Sequence, residues 1–116
     1  MGLVFTNLTL TNLVKIELKP LHKKCLVDTG ATHLCIPSHI ANQLELSILQ
    51  KRKLVLADDE TKNVAYVGPI KIQFEDRICF VRAMVMGDEI LLGAIPMEDM
   101  DLVVHPQTFQ TFREPQ

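Results

Sequence analysis

Leu26-Val27-Asp28-Thr29-Gly30-Ala31 is an apolar run that ends abruptly in a carboxylate, a hydroxyl and a glycine. The unbroken apolar succession Cys25 to Val27 reads as a strand covered on both faces, and Gly30 marks the tight turn that stops it. Asp28 is therefore expected at the mouth of a packed strand, where partial burial and turn amides can make a carboxylate a working acid or base. Asp and Gly are also good turn residues in their own right, so the triplet alone does not separate a site from a plain turn.

Working outward toward the C-terminus, Leu34-Cys35-Ile36 is a short apolar strand, and Pro37 followed by Ile40, Ala41 and Leu44 at helical spacing predicts a helix from Ser38 to Leu46. Lys53 to Ala57 and Asn63 to Val67 are β-favouring runs around the polar stretch Asp58-Asp59-Glu60-Thr61-Lys62, which predicts a hairpin with a polar tip. A second hairpin turns at Glu75-Asp76-Arg77, with Ile70, Ile72 and Phe74 alternating before it and Ile78 to Met86 returning. Ile90-Leu91-Leu92-Gly93 is another buried run that ends in glycine. Pro96 to Asp101 is expected to be a short helix with Met97 and Met100 inward, as core filling, and Leu102-Val103-Val104 a last core strand. The tail with Phe109 and Phe112 either adds an edge strand or trails.

Toward the N-terminus, Leu3 to Leu10 is β-rich. Val14, Ile16 and Leu18 alternate with Lys15, Glu17 and Lys19, which predicts a half-buried strand, and Pro20 to Lys24 is expected to be a turn. Met1-Gly2-Leu3-Val4-Phe5-Thr6 also fits the pattern for N-myristoylation on Gly2, beside the simpler reading that it opens the first strand.

With 116 residues the chain has room for a single domain, residues 1–116, and 47% apolar residues suffice for one core. Lys plus Arg number 12 against 14 Asp plus Glu, and no basic cluster exceeds Lys51-Arg52-Lys53, so nucleic acid is not an expected partner. Cys25, Cys35 and Cys79 cannot all pair within one chain and show no CxxC spacing, which points to core thiols in a reducing, cytoplasmic setting. No apolar run reaches the ~20 residues of a membrane span.

These features together resemble a retropepsin-type aspartic protease of the single-domain microbial kind. The resemblance rests on the strand into Asp28-Thr29-Gly30-Ala31-Thr32, the strand, proline and helix of Leu34 to Leu46, the hairpin around Ala57-Asp58-Asp59, and Leu91-Leu92-Gly93 before a short helix and Leu102 to Val104. It implies an all-β, mostly antiparallel acid-protease barrel with one or two short helices, acting as a homodimer without a cofactor or metal. It further implies an endopeptidase acting on a peptide or protein, in which Asp28 meets its symmetry mate and the two carboxylates activate water. Thr29 would bond across the interface, Gly30 would let backbone approach the carboxylates, and Ala31, Thr32, Ala57, Asp58 and Asp59 would line the substrate. Leu91, Leu92 and Gly93 would hold the base of the loop. The chain departs from retroviral relatives in two places. Thr32 and His33 stand where those relatives carry acidic residues, and the tip Ala57 to Lys62 lacks glycine and carries three consecutive acids, which would favour basic over acidic peptides.

Two other readings compete. One is a catalytically silent dimeric module that grips an extended peptide as an added strand. The other is a metal site at His33, Cys35 and His39, for which the spacing matches no common zinc pattern. His22 and His105 are expected at turns facing solvent, and Asp99 and Asp101 on a solvated helix face.

Overall fold

A computed structural model describes residues 4–55, 57–105 and 110–113. Its elements follow in the order β1 (Val4–Asn12), β2 (Leu21–Val27), β3 (Leu34–Ile36), α1 (Ser38–Gln43), β4 (Ser47–Val55), β5 (Thr61–Phe74), β6 (Arg77–Val85), β7 (Leu91–Leu92), α2 (Ala94–Asp99), β8 (Leu102–His105) and β9 (Gln110–Arg113). The main sheet runs β1-β2-β7-β3-β6-β5-β4, and β1 also pairs with β5. The first six of those strands therefore close into a barrel, and β4 projects from it as the outer half of a hairpin with β5. Pairing is antiparallel apart from β2 with β7 and β3 with β6. The expected mostly antiparallel β-barrel with two short helices is what the chain forms.

Inside the barrel, alternate residues of each strand meet: Leu8 and Leu10 from β1, Cys25 from β2, Leu34 and Ile36 from β3, Ile70 and Ile72 from β5, and Leu92 from β7. Each such Leu or Ile is fully buried and contributes on the order of 2 kcal/mol. Met97 and Met100 are buried in the same core, as their spacing predicts. A second, smaller cluster of Cys35, Val64, Tyr66 and Met84 is flanked by Leu54, Met86 and Leu91. Cys35, Tyr66 and Met84 come from registered neighbours, since Cys35 pairs with Met84 and Met84 with Tyr66, so they share one face. Because the side-chain period is two, this face is opposite the one that Leu34 and Ile36 present to the barrel core.

Several expectations need correction. Val14, Ile16 and Leu18 do not form a strand: Val14 and Ile16 are 66% and 80% exposed. The cause is buried Asn12, whose Oδ1 accepts from the amides of Val14 (2.8 Å) and Lys15 (3.1 Å) and turns the chain, while its Nδ2 donates to the carbonyl of Leu44 at 2.8 Å. Leu21 to Lys24 is not a turn but the first half of β2, paired residue for residue with β1. The first helix stops at Gln43 rather than Leu46, because Leu44 caps it and Glu45 takes a left-handed conformation (φ 50°) that brings the chain out into β4. The two β-runs on either side of Gly68-Pro69 are one strand, β5, with a bulge between Val67 and Ile70. The last strand is one-sided, with Leu102 buried and Val103 exposed, and it pairs with β9. Gly2, Leu56 and Phe109 lie outside the described residues.

Candidate functional site

The Asp28 loop is held from below by β7. Parallel register sets Leu26 beside Leu91 and Val27 beside Leu92, and the amide of Asp28 donates to the carbonyl of Leu92 at 3.0 Å. The loop then closes on itself: the Ala31 amide donates to the Asp28 carbonyl (3.1 Å), and the Gly30 amide donates to Asp28 Oδ1 (3.0 Å). That last bond fixes the carboxylate's rotation and leaves Oδ2 available. Asp28 is half-buried, while Thr29 and Gly30 are exposed, so the carboxylate faces a surface rather than a closed interior. A Cβ on residue 30 would stand 3.2 Å from Oδ1, which makes Gly30 the residue that lets the backbone fold this tightly around the acid.

Gly93 supplies the second lock. A Cβ there would run into the carbonyl oxygen of His33 and come within 2.8 Å of the Ala31 carbonyl oxygen, so no other residue lets β7 pass this close under the loop. Beyond it, the first amides of α2 reach back: Ala94 donates to Ala31 (2.9 Å) and Ile95 to Thr32 (3.0 Å). Leu91, Leu92 and Gly93 therefore hold the base of the loop, as the sequence suggests.

Of the residues expected to line substrate, Ala31 is half-buried and Thr32 exposed beside the loop. Ala57, Asp58 and Asp59 form the exposed tip between β4 and β5, where the Glu60 amide donates to Asp58 Oδ1 at 3.2 Å and Asp59 has φ 63°. The hairpin stem leans on the second cluster through Leu54. Cys35 lies in that cluster with its thiol toward the His33 carbonyl (3.9 Å); burial, and then the negative charge of Asp28, raise its pKa. The acid and the second cluster are thus neighbours.

His33, Cys35 and His39 do not converge. The His33 ring meets the Tyr66 ring edge-on with centroids 5.7 Å apart, His39 is exposed on α1, and among the described residues no three His, Cys, Asp or Glu side chains are placed to hold a metal. His22 lies in β2, where its Nδ1 shares a 2.9 Å hydrogen bond with the Thr9 hydroxyl. Asp101 is exposed and paired with Arg77 at 3.4 Å. The side chain of His105 lies outside the described set.

Sequence reasoning did not single out Tyr66, Arg52 or Arg82. Tyr66 is only 2% exposed, and the guanidinium carbons of Arg52 and Arg82 stand 5.1 and 4.8 Å from its ring centroid. The grouping depends on cross-strand register between β4, β5 and β6; the local signal is the chain's one tyrosine, set among the apolar residues Val64, Ala65 and Val67.

No family model matches the chain, and no curated protein matches it in sequence. Among solved structures it is similar to the EIAV protease, a retropepsin, complexed with the inhibitor HBY-793, at 20% identity and a TM-score of 0.58 over 84% of this chain and 88% of that one. No helix among the described residues is long and apolar enough to cross a membrane. An Asp-Thr-Gly loop locked from beneath by an apolar-apolar-Gly strand, on a six-stranded barrel with a projecting hairpin, identifies the fold as retropepsin-like.

Proposed function

We propose that the protein is an aspartic endopeptidase that works as a homodimer. The observation that carries the reading is the Asp28 carboxylate, turned toward an open surface and oriented by the Gly30 amide on a loop that Gly93 makes rigid. Each chain brings one such carboxylate, and amide hydrolysis by this route needs two sharing a proton, so a second copy completes the site. Thr29, exposed beside Asp28, is the residue that would bond across the interface.

In the first step one Asp28 takes a proton from water while the oxygen attacks the substrate carbonyl carbon and the other Asp28 gives its proton to the carbonyl oxygen. In the second a hydroxyl of the tetrahedral adduct returns its proton to the ionised Asp28 as the carbonyl re-forms, the C–N bond breaks, and the leaving nitrogen takes the proton held by the other Asp28. Charge and protons return to their starting places, so no cofactor is required. Ala31 and Thr32 border the carboxylate, and the tip Ala57 to Asp59 would close over the peptide and limit water.

Subunit exchange between wild type and Asp28→Asn tests the reading. Asn keeps the shape but cannot pass the proton, so turnover of unstructured fluorogenic peptides should fall by roughly 10²- to 10⁴-fold in the variant. In mixtures the rate should follow the fraction of all-wild-type dimers. Mixed dimers retaining half the rate would mean each subunit works alone and would end the shared-carboxylate mechanism; peptide binding without turnover in the wild type would favour the silent module instead.

A further inference from the structure

The second cluster carries a feature that the hydrolytic step does not use. Tyr66 lies on β5, paired with Gln50 of β4 and Met84 of β6, and each flanking strand sends a guanidinium from two residues away over the ring: Arg52 from β4 at 5.1 Å and Arg82 from β6 at 4.8 Å. Both arginines are exposed while the Tyr66 ring is buried. Two cations held at one ring repel each other, and the ring's negative face offsets only part of that cost. Among the described residues neither arginine has a carboxylate partner; the polar contact made is Arg82 Nη1 to Gln50 Oε1, at 3.2 Å. Lys15–Glu45 and Arg77–Asp101 form ion pairs elsewhere.

The position is as telling as the charge. Tyr66 packs with Cys35 and Leu91, and Leu91 precedes the residue whose carbonyl accepts from the Asp28 amide. The arginines therefore rim the same layer that borders the catalytic loop. Arg52 belongs to the projecting hairpin and Arg82 to the barrel wall, so an anion bound by both would tie one to the other. A guanidinium fork binds a carboxylate through paired N–H groups, and stacking on an aromatic ring pre-sets its plane.

We infer that Arg52 and Arg82, stacked on Tyr66, form a subsite for an acidic side chain of the bound peptide. The inference rests on the peptidase reading for the identity of the ligand. It also divides the hairpin's electrostatics: the acids Asp58, Asp59 and Glu60 stay at the tip, and the stem takes the opposite charge. The preferred peptide thus bears a Glu or Asp at one position toward the stem, whatever the tip selects elsewhere.

The test uses a set of unstructured octapeptides in which Glu or its neutral isostere Gln is placed in turn at every position. Turnover by the wild type and binding to Asp28→Asn by fluorescence anisotropy are both followed. One position should favour Glu over Gln by about ten- to a hundredfold, with a preference that shrinks as salt is raised. In Arg52→Gln/Arg82→Gln that ratio should drop to about one, and in Arg52→Lys/Arg82→Lys it should survive in part, which guards against a variant that fails to fold. Indifference to Glu at every position, or a preference unmoved by salt or by the Gln pair, overturns the subsite while leaving hydrolysis intact. Glu-selective binding without turnover supports the subsite and removes the peptidase reading.

Discussion

Strand β5 belongs to two hairpins, and its two ends live in different environments. From Ile70 to Phe74 it pairs with β6 and buries every second residue in the barrel. From Thr61 to Asn63 it pairs with Leu54 region of β4, and all three residues are exposed; β4 itself is exposed along its length save at Leu54. The backbone hydrogen bonds are alike in kind, so the difference lies in what the side chains bury. A ladder without a buried face can open on its own, whereas one that forms part of the core opens only when the core does.

Hydrogen exchange gives the largest contrast. Amides of Lys51 to Val55 and Thr61 to Asn63 should exchange through local opening, at least roughly a thousandfold faster than those of Ile70 to Phe74, whose protection approaches global stability. Equal protection would erase the distinction and with it the proposal that the hairpin acts as a lid. A second contrast comes from truncation. Ile72→Ala, at a residue with 0% exposure, should cost about 2–5 kcal/mol, and Val55→Ala, at 73% exposure, within about 0.5 kcal/mol, in urea unfolding. Similar losses would place Val55 against something on the hairpin's open side.

The smallest effect is a titration confined to the core half. Cys79, on β6, has its thiol pKa pushed up from 9.0 to about 12, by burial and then by the negative charge of Asp99. Below the unfolded value both states keep the proton and the contribution is whole. Between about pH 9 and about pH 12 the unfolded chain ionises and the folded one does not, so stability falls as pH rises. Cys25, also raised to about 12 by burial, adds a parallel fall. Urea midpoints across this range should decline less steeply in Cys79→Ala; an unaltered decline would show that the thiol is not what titrates.

The same contrast explains what could be read from the chain alone. The Asp28 loop and its support are legible because each is a contiguous apolar run closed by glycine, and the close approach at Gly93 demands that residue. The β6 hairpin is legible because burial imposes alternation on Ile70, Ile72 and Phe74. Strand β4 hides, since nearly all its residues are exposed and nothing forces a period on them. Val14, Ile16 and Leu18 mislead for the converse reason: they alternate without being buried, and the side chain of Asn12 decides the path instead. The Tyr66 group lies beyond local reading because its members are 14 and 16 residues from the ring in sequence and meet only through register.

Among the described residues β4 pairs with β5 alone, so one side of its backbone is left with open donors and acceptors. An unpaired strand of this kind invites copies of itself to stack into fibrils. Lys51, Arg52 and Lys53 stand consecutively along it and would face their own replicas in such a stack. Mutual repulsion among these cations opposes that stacking, so the charge that lines β4 works against the polymerisation its open edge would otherwise invite.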